Sequence, residues 1–252
     1  MDEKGKCIRL LCATEINTLP PPCYGLGCFV FHSAIRLLAL RISLRPHLRA
    51  KTETNSGLHM RVLFSFVYFL IRMEILFATS NQNKVREGNL VGKEYDIVFR
   101  QIMGNYPEIR DEDVANVARE GVEYVYQRTQ ERVIVEDTGL YISSLNGFPG
   151  TYSSYVYQKI GNRGILKLLA GLENRNARFT SAIGYKDKNS LYIFEGNAEG
   201  TITDKPRGKR GFGYDPIFQP KGNQLTYAED PELKDLTSHR RKAFEKLCKW
   251  LR

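Results

Sequence analysis

From Met73 onward the chain alternates short apolar runs with amphipathic stretches, and this rhythm predicts its elements. MEILFAT (73–79) reads as an apolar strand, followed by a polar turn and a short helix around 83–92. YDIVFRQI (95–102) reads as a second strand. In DVANVAREGVEYVY the residues Val114, Val117, Ala118, Gly121, Val122 and Val125 recur at helical spacing and form one apolar face of a long helix. VIV (133–135) reads as a short third strand, continuously apolar because it is covered on both faces, and it is expected to run out at Glu136 and Asp137. A glycine and a loop rich in aromatic and hydroxyl side chains come next. GILKLLAGL (164–172) predicts a helix closed by glycine. RFTSAIGYKD and SLYIFEGNAEGTIT pair as a hairpin across Lys188-Asn189, and the last helix covers 238–251 with Ala243, Leu247 and Leu251 on one face. Strand–helix–strand order and then a hairpin predict an α/β fold with a mixed central sheet and flanking helices.

The first 72 residues lack this order. PPPC at 20–23 breaks any element, and RLLALRISLRPHLRA (36–50) mixes leucine and arginine without a clean period, as an amphipathic or organelle-targeting stretch would. VLFSFVYFLI (62–71) is apolar over ten residues, whereas a bilayer span takes about 20, so no membrane helix is expected. Met60 and Met73 each stand where a shorter chain would begin. The expected division is an extension of unknown role over 1–72, upstream sequence translated from a misassigned start, and an ordered domain over 73–252.

Charge sharpens that division. The net charge of +9 suggests a nucleic-acid binder, but residues 1–72 hold 10 Lys+Arg against 4 Asp+Glu, and the remainder holds 27 against 24. The basicity lies mostly in the extension, which weakens a reading resting on overall charge. Four of the five cysteines, Cys7, Cys12, Cys23 and Cys28, lie there too; their spacing is wider than a zinc knuckle's, and thiols are the simpler reading. A domain with Cys248 alone fits a reducing compartment, and the expected location is cytoplasmic.

Three blocks carry candidate chemistry. TSNQNK (79–84) comes after the first strand, where a strand-to-helix turn exposes amides to an anion; Thr79, Asn81 and Lys84 add a hydroxyl, an amide and an ammonium. As structure alone, it is a turn and a cap. The adjacent acids Glu136 and Asp137 point to opposite sides of a strand, so they would not share one site. Asp137 with Glu108 of YPEI could instead hold a divalent cation such as Mg²⁺, whose shell water and phosphate oxygens complete. Otherwise both acids are satisfied by amides and nearby cations. RGKRGFGYDPIFQP (207–220) and KDLTSHRRKA (234–243) combine glycines that admit a close ligand, Phe212 and Tyr214 as stacking faces, and the cations Lys234, His239 and Arg240. The plain alternative is a glycine loop and a solvated basic helix turn.

Taken together, TSNQNK, YPEI, VEDTGLYISSLNGFPGTYSSY, GFGYDPIF and YAED…LKDLTSHR make residues 73–252 resemble the inosine triphosphate pyrophosphatase family, which clears non-standard purine nucleoside triphosphates. The resemblance implies an elongated α/β domain with two lobes around a cleft, a homodimer, and Mg²⁺-dependent cleavage between the α and β phosphates. It implies substrate contacts in the turn Thr79, Ser80, Asn81, Gln82, Asn83 and Lys84, and at Thr138. It implies nucleobase contacts at Phe212, Gly213, Tyr214 and Asp215, and further substrate contacts at Lys234, His239 and Arg240. Glu108 and Asp137 match its metal positions, and Asp137 its proton acceptor. Ser80 and Thr138 are mild departures from the family pattern, and Asp235 puts a charge where an amide is usual. His239, Arg240 and Asp215 are the candidates for reading the base edge. The competing expectations are a related pyrophosphatase for modified pyrimidine triphosphates and a basic nucleic-acid binder; GFGYDPIF and the Ser-His-Arg triplet favour the purine enzyme, with no nucleic-acid or membrane partner.

Overall fold

The computed structural model describes residues 72–107 and 109–252. The expectations for the cysteine pairs, the 36–50 stretch and the 62–71 run, and the placement of Glu108, lie outside the described residues. Within them the elements run β1 (Met73–Ala78), α1 (Gln82–Gly92), β2 (Ile97–Ile102), α2 (Val114–Thr129), β3 (Val133–Ile142), β4 (Pro149–Gly150), α3 (Ser153–Leu168), β5 (Asn176–Lys186), β6 (Leu191–Ile202), β7 (Phe218–Pro220), α4 (Pro231–Thr237) and α5 (His239–Trp250). No described helix is long and apolar enough to cross a membrane.

The strands form one mixed sheet in the order β2-β1-β3-β5-β6-β7, with β4 beside β3. β1 is parallel to both β2 and β3, and the remaining pairs are antiparallel. The predicted helical face of α2 is the buried one: Val114, Val117, Ala118, Gly121, Val122 and Val125 all turn inward. On the other side of the sheet α5 buries Ala243, Phe244 and Leu247 among Ile75, Phe77, Phe99 and Ile183. A second core gathers Leu140, Ile142, Ile165, Leu169, Phe179, Phe218 and Tyr227 around α3 and the far ends of β3, β5 and β6. α5 approaches β6 so closely that a Cβ on Gly196 would stand 2.5 Å from Ala243 N, so a side chain there would push the helix away.

Several predicted boundaries need correction. β3 is ten residues long and does not end at the acid pair; it continues through Ile142 because β5 pairs with it along its whole length, from Val133↔Lys186 to Ile142↔Ala177. β1 accompanies it only as far as Ala78↔Val135. From Glu136 to Gly139 the β1 side of β3 therefore has no strand partner among the described residues, and that open edge is where the site lies. The expected aromatic loop is the end of β3 and then the first turns of α3, which kinks at Gly161 and extends to Leu168. β7 and α4 escaped prediction because glycines and prolines surround them and neither exceeds seven residues.

Candidate active site

The turn after β1 is built by its own side chains. Thr79 Oγ1 accepts from Asn81 N (3.1 Å), and Asn81 Oδ1 caps α1 by accepting from Asn83 N (2.9 Å). This aims the first turn of α1 at the open edge of β3 and sends Lys84 to Glu136, whose carbonyl and carboxylate it meets at 2.9 Å each. Thr79, Ser80, Asn81 and Lys84 line a cleft of about 440 Å³ together with Asp137, Thr138, Phe212, Gly213, Tyr214, Asp215, Lys234, His239 and Arg240. Residues from opposite ends of the domain's sequence, Thr79 and Arg240 among them, thus share one cavity. Gln82 and Asn83, in the same motif, are exposed and do not line it, because successive residues of a helical turn face different directions.

Six charges alternate along the cleft floor. Lys84 meets Glu136; Glu136 accepts from Arg240 Nε at 3.1 Å; Arg240 reaches Glu87 at 2.6 Å; Glu87 meets Lys234 at 3.0 Å; Lys234 ends on Asp215 at 2.7 Å. Glu136 also accepts from Ser181 Oγ at 2.5 Å and from Thr138 Oγ1, and Thr138 Oγ1 accepts from Arg240 at 2.9 Å. Burial would raise the Glu136 carboxyl, but Arg240, Lys84 and the two hydroxyls outweigh it and hold it far below the usual range. Burial pushes Glu87 up as well, and Arg240 with Lys234 brings it below its ordinary value. Lys234 divides its charge between two acids, so burial leaves the Asp215 carboxyl raised. Three cations are matched by three carboxylates, so the cleft floor carries no surplus positive charge.

Glu136 and Asp137 play different parts, as alternation along a strand requires. Glu136 is fully enclosed in the ionic array, whereas Asp137 is half-buried on the other face and lines the cleft. Asp137 is thus a carboxylate at the cleft that the six-charge array does not use. No three described His, Cys, Asp or Glu residues form a ready-made metal cage. A hard divalent cation needs only one or two carboxylates when phosphate oxygens and water complete its shell, and Asp137 at the cleft wall fits that donor set.

The opposite end is aromatic. Lys234 Nζ lies 3.9 Å from the Phe212 ring centroid and covers one face of that ring. Asp215 accepts from Phe212 N at 2.8 Å, which ties the glycine loop to the ionic array. Gly211 makes that tie possible: its φ is +79°, and a Cβ would stand 2.4 Å from Asp215 Oδ2. Tyr214 is buried; its hydroxyl donates to Ser153 O at 2.9 Å and its ring meets Tyr157 edge-on, so it holds α3 to the loop. His239 is buried against Phe179, and among the described residues neither ring nitrogen has a hydrogen-bond partner. Burial, with Arg240 and Lys234 close by, drives its pKa well below the ordinary value and keeps the imidazole neutral. Asp235, the charge in place of an amide, is matched by both terminal nitrogens of Arg86 at 3.2 and 3.3 Å.

Sequence reasoning missed Glu87, Ser181 and Phe179. A signal existed for Glu87: it stands three positions after Lys84 and shares the buried side of α1 with Gly88 and Val91. An acid on the apolar side of a helix needs a partner.

A mixed open sheet with an ion-laced cleft at the carboxyl end of a parallel strand is a ligand-binding α/β architecture. The Ham1 family profile matches residues 75–250, and the chain belongs to that family. It is 45% identical over 180 residues to the dITP/XTP pyrophosphatase of Methanopyrus kandleri, covering 71% of this chain and 96% of that protein. It is 46% identical over 182 residues to the dITP/XTP pyrophosphatase of Pyrococcus horikoshii, covering 71% and 97%. Among solved structures it is similar to a HAM1 protein from Coxiella burnetii, with TM-score 0.63, 31% identity, and coverage of 71% of this chain and 98% of that one.

Proposed function

We propose that this protein hydrolyses non-standard purine nucleoside triphosphates, such as ITP, dITP and XTP, to the nucleoside monophosphate and pyrophosphate. The observation that supports the reading is that Asp137 lines one cleft together with Lys84, Phe212 and His239. Relatives named dITP/XTP pyrophosphatase, those of Methanopyrus kandleri and Pyrococcus horikoshii among them, match it over nearly their whole length.

The triphosphate lies along the Lys84 turn, with Thr79, Ser80 and Asn81 supplying hydrogen bonds. Asp137 would hold a divalent cation of the Mg²⁺ class, with Glu108 as the second donor that the family resemblance implies, and the cation would neutralise phosphate charge. Because Lys84, Lys234 and Arg240 already have carboxylate partners, the cradle orients phosphates more than it attracts them, and charge balance for the substrate comes with the cation. Asp137 accepts a proton from the water that attacks the α-phosphorus in line; the bond from that phosphorus to the bridging oxygen breaks, and pyrophosphate leaves with the bridging oxygen. The base lies against the free face of Phe212. The neutral His239 offers an N–H donor to a keto acceptor on the base edge. Exposed Phe148, Tyr152 and Tyr155 beside the cleft support a homodimer, which light scattering of the purified protein checks.

Pyrophosphate release from ITP, XTP, dITP, ATP, GTP and dUTP, with and without Mg²⁺, tests the proposal. Fast release from the first three only, and only with the cation, is the expected result. Preference for dUTP, or for none, overturns it.

A further inference from the structure

Glu87 belongs to none of the motifs that the sequence analysis used, yet it occupies the middle of the charge array. It is 6% exposed and divides its carboxylate, Oε2 to Arg240 at 2.6 Å and Oε1 to Lys234 at 3.0 Å. Both cations it joins lie near the Phe212 ring, Lys234 Nζ at 3.9 Å and Arg240 Cζ at 5.9 Å from its centroid, but their second carboxylate partners differ. Lys234 covers the Phe212 ring and binds Asp215, which fixes the aromatic loop. Arg240 binds Glu136, which takes Lys84 of the phosphate turn. They also arise from different helices, α4 and α5, joined at Ser238 in extended conformation, whose N–H donates to Lys234 O at 3.0 Å and whose side chain caps α5, so the two side chains meet only through Glu87. Among the described residues Glu87 is the one carboxylate paired with both.

We infer that Glu87 is a positioning residue that couples base recognition to phosphate binding and so sets substrate specificity. The inference rests on the pyrophosphatase reading above. A base that seats against Phe212 leaves Lys234 in place; a base that displaces the loop moves Lys234, and through Glu87 it moves Arg240 away from the phosphate end. Discrimination then appears in turnover as well as in binding.

Two variants separate this role from a purely structural one. Glu87→Gln keeps the shape and removes the charge, and Glu87→Asp keeps the charge on a stem one methylene shorter, which cannot span both cations. For each, kcat and KM for ITP and ATP and inhibition by pyrophosphate are measured beside the native chain. The expected result is a fall of about tenfold or more in the ITP:ATP ratio of kcat/KM for Glu87→Gln. A smaller fall is expected for Glu87→Asp, and inhibition by pyrophosphate, which has no base, changes much less. A carboxylate that merely supports the fold lowers Tm and lowers kcat/KM for both nucleotides in equal proportion; an unchanged ratio overturns the inference. If Glu87→Gln does not fold, the ratio in Glu87→Asp decides by the same criterion. Activity in the native chain with an unchanged ratio in the variants removes only the role of Glu87, whereas a native chain that releases no pyrophosphate removes the activity and this inference together.

Discussion

The His239 imidazole lies face to face with the Phe179 ring, their centroids 4.6 Å apart and their planes 15° from parallel. The contact joins α5 to β5 and presents a neutral histidine at the cleft. It has a measurable consequence for stability. An unfolded chain takes up a proton on this histidine near pH 6.5, while the folded chain keeps it neutral to lower pH. The associated stability is present above about pH 6.5 and is lost as pH falls. Glu87 and Glu136, held below their ordinary values, add a further loss below about pH 4.5. Urea unfolding between pH 7 and 5 should therefore show a falling midpoint, and His239→Gln should flatten that slope.

Asp137→Asn keeps the size of the side chain and removes its charge. Turnover of ITP should drop by about 10²-fold or more with the circular-dichroism spectrum unchanged. Near-native turnover would remove Asp137 from the reaction.

Glu136→Gln acts differently although the two acids are neighbours. Removing this charge leaves Arg240 buried and Lys84 largely so, both without their shared partner, at a cost of about 3–5 kcal/mol. Chemical denaturation should register a loss of that size, and turnover per folded molecule should fall as well, because Lys84 and Arg240 lose the carboxylate that positions them.

Gly196→Ala places a methyl group against the first turn of α5, within 2.5 Å of Ala243 N. Overpacking of this kind costs about 1–3 kcal/mol. Since His239 and Arg240 are on that turn, KM for ITP should rise along with the drop in Tm, whereas Gly222→Ala, strained only by its φ of +80° and with open space at its Cβ position, should lower Tm and leave KM unchanged.

A chain beginning at Met73 should fold and retain full kcat/KM for ITP, because the family match begins at residue 75 and residues 73–252 span almost the whole length of the archaeal relatives. A loss greater than about tenfold would give residues 1–72 a role in the enzyme.

The sequence by itself determined the α/β class, the hairpin across Lys188-Asn189, the apolar face of α2 and the last helix, because periodicity records which side of an element is buried. It also supplied the motifs from Thr79 to Arg240, most of whose candidate side chains the fold brings to one cleft. Only the tertiary structure decided what each charge does. Glu136 and Asp137 look alike in sequence, but strand alternation and the early end of β1 send one into a closed ionic array and leave the other at the cleft. The buried side of α1 marked Glu87 as an acid in need of a partner, but only folding, which brought helices some 150 residues apart into contact, decided which partners it has.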